Sequence, residues 1–333
     1  MIEPVMKRTR NILLTIVMIL ALLLFSLYDA FFAAPRNYRV RHETIAAETI
    51  PESMDGMNII FFSDLDYGTF MDQTRMTKLV DKINQYAPDI VIFGGDLFDT
   101  GVTPDDTSTA QVQQLLADID APYGKFAVYG DFDHESEDKL NAVSSILTQG
   151  GFEVLDNRSV SLHHKSISSI SLVGIDSGVN GSQDITAAYS SVSHTNYVIT
   201  VCHTPDTADY VPADLTNLFL TGHSHGGQIY WLFGAYYTPA GAEQYFRGKS
   251  EVSNSFTLDI TNGVGTTGKD VRFLANAEIV SYKLKCTKKS EPTSQPTSEN
   301  TSGNETSASA SPQATDAASE SAQASSSASA AAQ

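Results

Sequence analysis

Hydrophobic and polar positions divide this chain into three regimes. Ile12 to Phe32 is an almost unbroken apolar run, which at ~1.5 Å of rise per residue is long enough as a helix to cross a bilayer. In the middle of the chain, short apolar runs stopped by polar residues alternate with stretches whose apolar residues recur at helical spacing. From Thr287 to Gln333 the sequence collapses into Ser, Thr, Ala, Gln and Pro, a composition that cannot bury enough surface to offset its ordering entropy. The pattern predicts a stub over 1–11, a membrane signal-anchor over 12–33, a folded domain over 37–286 and a disordered tail over 287–333.

Within the folded domain, Asn58-Ile59-Ile60-Phe61-Phe62 is a short apolar run of the kind that forms a buried strand. Met76, Leu79, Val80 and Ile83 then follow at helical spacing, and Pro88 ends that helix before a strand over Ile90 to Phe93. Further strands are expected at Phe126 to Tyr129, Ser171 to Ile175, Tyr197 to Cys202, Leu218 to Thr221, Phe256 to Ile260 and Glu278 to Lys285, with a helix around Gln111 to Ala117. The alternation implies an α/β domain, whose loops project a site from the carboxyl ends of its strands. The run Tyr230-Trp231-Leu232-Phe233-Gly234-Ala235-Tyr236-Tyr237 is expected to pack a core or cover a sheet; the alternative is contact with lipid or a substrate groove.

Charge narrows the partners. A formal net charge of -18, with no basic stripe after residue 41, argues against nucleic acid. An acidic domain that acts on phosphate needs positive charge, and bound metal is its natural source. Lys7, Arg8 and Arg10 precede the apolar run, and Arg36, Arg39 and Arg41 follow it, so the positive-inside count is balanced. Phe31-Phe32-Ala33-Ala34 is a poor cleavage site, so retention as an anchor is expected. A short stub kept inside puts the domain on the extracytoplasmic face of the cell membrane. Cys202 and Cys286 cannot build a disulfide scaffold, and Cys202, inside an apolar strand, reads as an inert buried thiol.

The chemistry lies just past the strands. Asp64 and Asp66 follow the first, Asp96 the second and Asp131 the third; His203 follows the strand ending at Cys202, and His223 and His225 the strand ending at Thr221. Each alone has a structural reading, since Asp after a strand is commonly a turn former or helix cap. Asp99, Asp105 and Asp106 are read that way. As a set, the seven describe a metal site, and mixed carboxylate and imidazole ligands suit Mn, Fe or Zn better than Ca or Mg.

With these motifs the chain resembles the calcineurin-like metallophosphoesterases, and among them a membrane-associated bacterial branch. Gly226-Gly227-Gln228, Tyr237-Thr238-Pro239-Ala240-Gly241-Ala242 and Asn262-Gly263-Val264-Gly265-Thr266-Thr267-Gly268 add to the likeness, which covers Tyr38 to Lys285. The resemblance implies two packed mixed β-sheets flanked by helices, with two metal ions at one edge. It implies that Asp96 bridges both ions, that Asp64, Asp66 and His225 complete one site, and that Asp131, His203 and His223 complete the other. A hydroxide activated between the ions would then attack phosphorus in line with the leaving group.

The chain departs from that pattern in three places. Asp66 stands where the family has His, Asp131 where it has Asn, and Phe132 where it has the His that can protonate the leaving group. Four carboxylates against two divalent ions make an approximately neutral centre, and harder oxygen ligands favour Mn or ferric iron over Zn. Losing the general acid costs ~10²–10⁴ in rate with poor leaving groups. A phosphoanhydride or activated ester is therefore the expected substrate, envelope or lipid-linked. If the loop bulges, Asp133-His134 takes the place of the family's Asn-His pair and His134 takes the acid role. The competing reading is a non-enzymatic domain whose metal centre binds a phosphorylated ligand.

Overall fold

The structure is a computed structural model that describes residues 2–231 and 233–288, so the predicted tail beyond Lys288 lies outside the described residues. Helix α1 (Ile2–Tyr28) is continued by a π-helical turn, Asp29–Ala33. There follow β1 (Arg39–Ala47), β2 (Asn58–Phe62), α2 (Gln73–Gln85), β3 (Ile90–Phe93), α3 (Asp106–Ala117), β4 (Lys125–Ala127) and α4 (Glu137–Gln149). The next elements are β5 (Phe152–Val154), β6 (Arg158–His163), β7 (Ser169–Ile175), α5 (Ile185–Tyr189), β8 (Tyr197–Cys202) and β9 (Leu218–Thr221). The last are β10 (Tyr230–Trp231), β11 (Gly234–Ala235), β12 (Gly248–Val252), β13 (Phe256–Ile260) and β14 (Glu278–Cys286).

Two six-stranded mixed sheets face each other, in the orders β1-β14-β2-β3-β4-β5 and β12-β13-β9-β8-β7-β6. Strand periodicity builds the layers. Ile59 and Phe61 of β2, with Ile90 and Ile92 of β3, point inward against Leu172, Ile199, Val201, Leu218 and Leu220 of the other sheet. The intervening Ile60, Phe62, Val91 and Phe93 point outward to Met76, Leu79, Val80 and Ile83 of α2 and to α3 and α4. Val173, Val198 and Phe219 cover the outer face of the second sheet. Both faces of the central strands are buried, which is why they read as continuous apolar runs.

Helix starts are fixed locally. Asp72, Asp105 and Ser136 cap α2, α3 and α4 through their side chains, and Asp105 forms a reciprocal capping box with Ser108. The third strand ends at Ala127 rather than Tyr129. Strands β1, β5, β6 and β12 were not anticipated, because edge strands keep one side polar and carry no apolar run. In β1, Arg41 crosses between the layers to Asp259 of β13 at 2.8 Å, and the Tyr282 hydroxyl donates to the same carboxylate at 2.7 Å.

Met6–Ala33 is long and apolar enough to cross a membrane. Its carboxyl end is tied to the domain: Ala30 and Ala34 are buried, and their carbonyls accept from the backbone N–H groups of Arg272 and Ala277 at 3.0 and 3.2 Å. Asp270 then accepts from both Arg36 and Arg75, at 2.6 and 2.5 Å.

Candidate metal centre

The loops after β2, β3 and β4 bring carboxylates from one sheet, and the loops after β8 and β9 bring imidazoles from the other. Because each trio or pair of strands runs side by side and in parallel, their carboxyl ends lie together. Five of the seven predicted ligands sit at positive φ: Asp64 (55°), Asp66 (51°), Asp96 (60°), His223 (67°) and His225 (51°). Non-glycine residues adopt that backbone at a cost of order 1 kcal/mol or more each, and such strain gathers where geometry serves a site. The turns also need glycine for close approach. A Cβ on Gly222 would lie 2.4 Å from Asp64 Oδ2, and one on Gly130 would lie 2.0 Å from Asp96 Oδ1.

All seven side chains are buried and converge. One ligand atom each from Asp96, Asp131, His203 and His223 lies within 4.8 Å of the others. His203 Nε2 is 3.0 Å from Asp96 Oδ2 and 3.2 Å from Asp131 Oδ1, and His223 Nδ1 is 2.9 Å from Asp131 Oδ1. Beside this group, His225 Nε2 lies 3.7 Å from Asp64 Oδ1 and 3.6 Å from Asp66 Oδ2. Asp64 Oδ1 is 3.9 Å from His203 Nε2, which joins the two groups.

The donor set fits metal. Asp64 Oδ2 and both Asp66 oxygens are buried without a hydrogen-bond partner, and such orphaned atoms are costly unless something else coordinates them; Asp131 Oδ1 and His203 Nε2 face other members of the cluster. Their neighbours turn the rings appropriately. His203 Nδ1 faces the Gly94 carbonyl at 2.7 Å and His223 Nε2 faces the Ala240 carbonyl at 2.7 Å, so the opposite nitrogen of each ring points into the site.

Burial and mutual charge perturb the whole set. Burial, then the Asp64 and Asp96 carboxylates, hold Asp66 well above the usual carboxylate range. Burial pushes Asp96 up to about 7 against the opposing pull of His203. Burial also resists ionisation of Asp131, but hydrogen bonds from His203 and His223 outweigh it and hold that carboxyl far below normal. His203 is driven well above its ordinary value because the Asp96 and Asp131 carboxylates overcome burial. His225, buried and facing the Arg272 guanidinium, falls to about 4.

Two residues organise the centre in roles that sequence reasoning did not assign them. Asp133 accepts from the backbone N–H groups of Asp96, Leu97 and Gly130 at 3.0, 3.0 and 2.8 Å, and so ties the β3 and β4 loops together. Arg272 is fully buried; it donates to the carbonyls of Gly265, Ala275 and Gly263 and lies 3.3 Å from His225 Nδ1. It adds a cation near the carboxylate Asp66 to the charges that the candidate ligands alone supply.

His134 lies away from the cavity that opens onto the centre. Its Nε2 is 2.6 Å from Asp176, and the ring stands edge-on to Tyr129 at 5.6 Å. The cavity, about 470 Å³, is walled by Phe132, Val179, Tyr236, Tyr237 and Pro239 and bordered by Lys269, with Asp131, His223 and His225 at its floor. The aromatic run after residue 229 therefore does not pack a core. Trp231, Phe233, Tyr236 and Tyr237 are all exposed. Cys202 is buried, as expected, with its thiol raised by burial.

A profile of the calcineurin-like phosphoesterase family matches residues 57–227. The Bacillus subtilis metallophosphoesterase YkuE is 32% identical over 260 residues, covering 78% of this chain and 89% of that protein. A metallophosphoesterase of Aquifex aeolicus is 28% identical over 74% of this chain and 92% of its own length. A protein of Danio rerio described as a transmembrane protein with a metallophosphoesterase domain is 24% identical, over 72% of this chain and 56% of its own length.

Proposed function

The chain belongs to the calcineurin-like phosphoesterase family and is a metal-dependent phosphoester hydrolase; on that premise we propose that its centre holds two divalent ions through the seven clustered side chains. Asp131, His203 and His223 would hold one ion, Asp64, Asp66 and His225 the other, and Asp96 both. The orphaned buried oxygens carry this reading, since Asp64 Oδ2 and both Asp66 oxygens, beside four side chains that could share one ion, have no hydrogen-bond partner among the described residues. Bound there, the ions would supply a nucleophilic water at neutral pH and neutralise charge building on the phosphoryl oxygens. Four carboxylates among the ligands favour Mn or Fe over Zn.

The residues of the chain do the rest. Asp133 and the Gly94 and Ala240 carbonyls fix the ligands, and Lys269 at the cavity border offers a cation to substrate phosphate. Phe132 lines the cavity where a proton donor would serve the leaving group, and His134 is engaged with Asp176. The site therefore suits leaving groups that need no proton: phosphoanhydrides and activated esters. We place the protein in the cell membrane as a single-pass protein, a reading that α1 and the transmembrane relative support, and we propose that its domain lies outside the cytoplasm.

The test is elemental analysis of purified protein together with a substrate panel. About two equivalents of Mn or Fe, and faster cleavage of a pyrophosphate diester than of an alkyl phosphodiester, are expected. Bound metal with no turnover on any phosphate ester would favour the ligand-binding reading, to which Phe132 in the cavity wall lends its support.

A further inference from the structure

We propose that the hairpin β10–β11 seats in the bilayer leaflet from which α1 emerges, so that the cavity draws its phosphate compound from the membrane as a lipid. This rests on reading α1 as a span and the metal centre as a phosphoesterase site.

Three observations converge. Beyond the N-terminal helix, most large apolar side chains that stay exposed among the described residues form one patch: Trp231 (52%), Phe233 (95%), Tyr236 (78%), Tyr237 (68%) and, next to it, Leu274 (56%). A contiguous exposed apolar patch on a folded domain marks an interaction surface. Its composition of Trp, Tyr and Phe is that of residues that anchor proteins at the membrane–water boundary.

The patch also adjoins the emerging helix. The Ala30 carbonyl, in the last turn of the apolar segment, accepts from Arg272 N–H at 3.0 Å. The next residue, Phe273, donates its N–H to the Gln228 carbonyl at 3.0 Å, accepts from Tyr230 N–H at 2.9 Å and packs its ring, tilted by 33°, against Trp231 with centroids 5.3 Å apart. One backbone segment thus separates the end of the helix from the base of the hairpin. A bilayer that holds Tyr28, Phe31 and Phe32, all exposed, reaches the hairpin with no intervening linker to set the domain apart. This continuity selects lipid as the occupant of the patch.

The same hairpin reaches the mouth of the cavity. Tyr236 and Tyr237 belong both to the exposed patch and to the wall of the cavity, whose floor is Asp131, His223 and His225. A molecule with its phosphate at the ligands would lay its remaining part along the aromatic side, toward lipid. Arg247, stacked over Tyr230 at 4.3 Å, and Lys269 at the cavity border give cations for lipid phosphates at that boundary. The substrate class is therefore an amphiphile: a lipid phosphate whose leaving group is itself a phosphate or another weak base.

Trp231 is the only tryptophan in the sequence and reports on the hairpin directly. The full chain, loaded with manganese, is reconstituted in phosphatidylcholine vesicles with or without bromine on the upper acyl carbons. Trp231 should lose most of its emission to brominated lipid and resist iodide added in water. Emission unchanged by bromine and quenched by iodide overturns the proposal. In the same vesicles, CDP-diacylglycerol is compared with its soluble counterpart CDP-glycerol, which carries the same phosphoanhydride. The lipid should turn over faster, and Phe233→Ser, a change at an exposed side chain outside the cavity lining, should slow the lipid about tenfold while leaving CDP-glycerol unchanged. Equal rates on both, untouched by Phe233→Ser, overturn the lipid assignment. No turnover on either with quenching retained supports the seated hairpin and counts instead against the phosphoesterase reading; failure of the chain to float with vesicles overturns the proposal through its premise.

Discussion

Arg272 shows how much of the centre depends on one side chain that binds no metal. Its guanidinium satisfies the carbonyls of Gly263, Gly265 and Ala275 and faces His225, and burial lowers its own affinity for a proton to about 10. Arg272→Met would leave those carbonyls without donors and Asp66 without its nearby cation. A loss of about 3 kcal/mol is expected, from the cost of breaking a buried charged network; urea denaturation of the metal-free protein measures it, and a midpoint within error of the parent would refute the role. Phe132 supports a gain rather than a loss. Phe132→His returns an imidazole to the cavity wall and should raise kcat on an alkyl phosphodiester by ~10²-fold while moving a phosphoanhydride little. Equal gains on both substrates would show that protonation is not what the parent lacks.

At the scale of elements, the loops that carry the candidate ligands are held by polar latches. His134 and Asp176 join the loop after β4 to the loop after β7, and Asn180 donates to the Asp131 carbonyl at 3.3 Å across the same junction. Burial lowers the proton affinity of His134, but the Asp176 carboxylate overrides it and the folded value is raised. Its contribution to stability is thus complete below the unfolded value of about 6.5 and fades as pH climbs through the higher folded value. Asp176 shifts in the opposite sense: burial raises it, hydrogen bonds from His134 and Ser182 outweigh that, and its contribution is lost only as pH falls below about 4. The stability difference between parent and His134→Gln should therefore reach about 1 kcal/mol near pH 5–6 and shrink in alkaline solution. A difference that stays flat with pH would sink the latch. Which elements could be read beforehand follows from where polar groups go. Central strands such as Ile90–Phe93 bury both faces, and their abrupt ends at Asp and His mark the ligands. Strand β1 mixes Arg41, Glu43 and Thr44 because one edge faces solvent, and its tie to Asp259 is a contact between layers that no local pattern carries. Arg272 was illegible for the same reason: it lies in an irregular stretch and its partners are backbone carbonyls. The aromatic run misled because apolar composition alone does not distinguish a core from an exposed surface.

Across the whole molecule, the apolar N-terminal helix and the candidate metal centre meet through one short segment. Residues 270–277 bind the helix end at Ala30, Ala34 and Arg36 on one side, and on the other they carry Arg272 into the centre. The domain is therefore not hung from that helix by a free linker, and removing the helix removes part of the fold. Truncation before residue 37 would strip two backbone hydrogen bonds and the Arg36–Asp270 pair, whereas truncation before residue 27 would keep all three. Each backbone bond contributes about 1 kcal/mol and the half-exposed ion pair less, so the shorter protein should be less stable by about 2 kcal/mol. Because the lost contacts position Arg272, that protein should also bind Mn more weakly, a second readout that titration calorimetry provides. Equal stability and equal metal affinity for the two truncations would mean that the centre is independent of its anchor. If both fall together, the helix belongs to the architecture of the metal site as well as to its attachment.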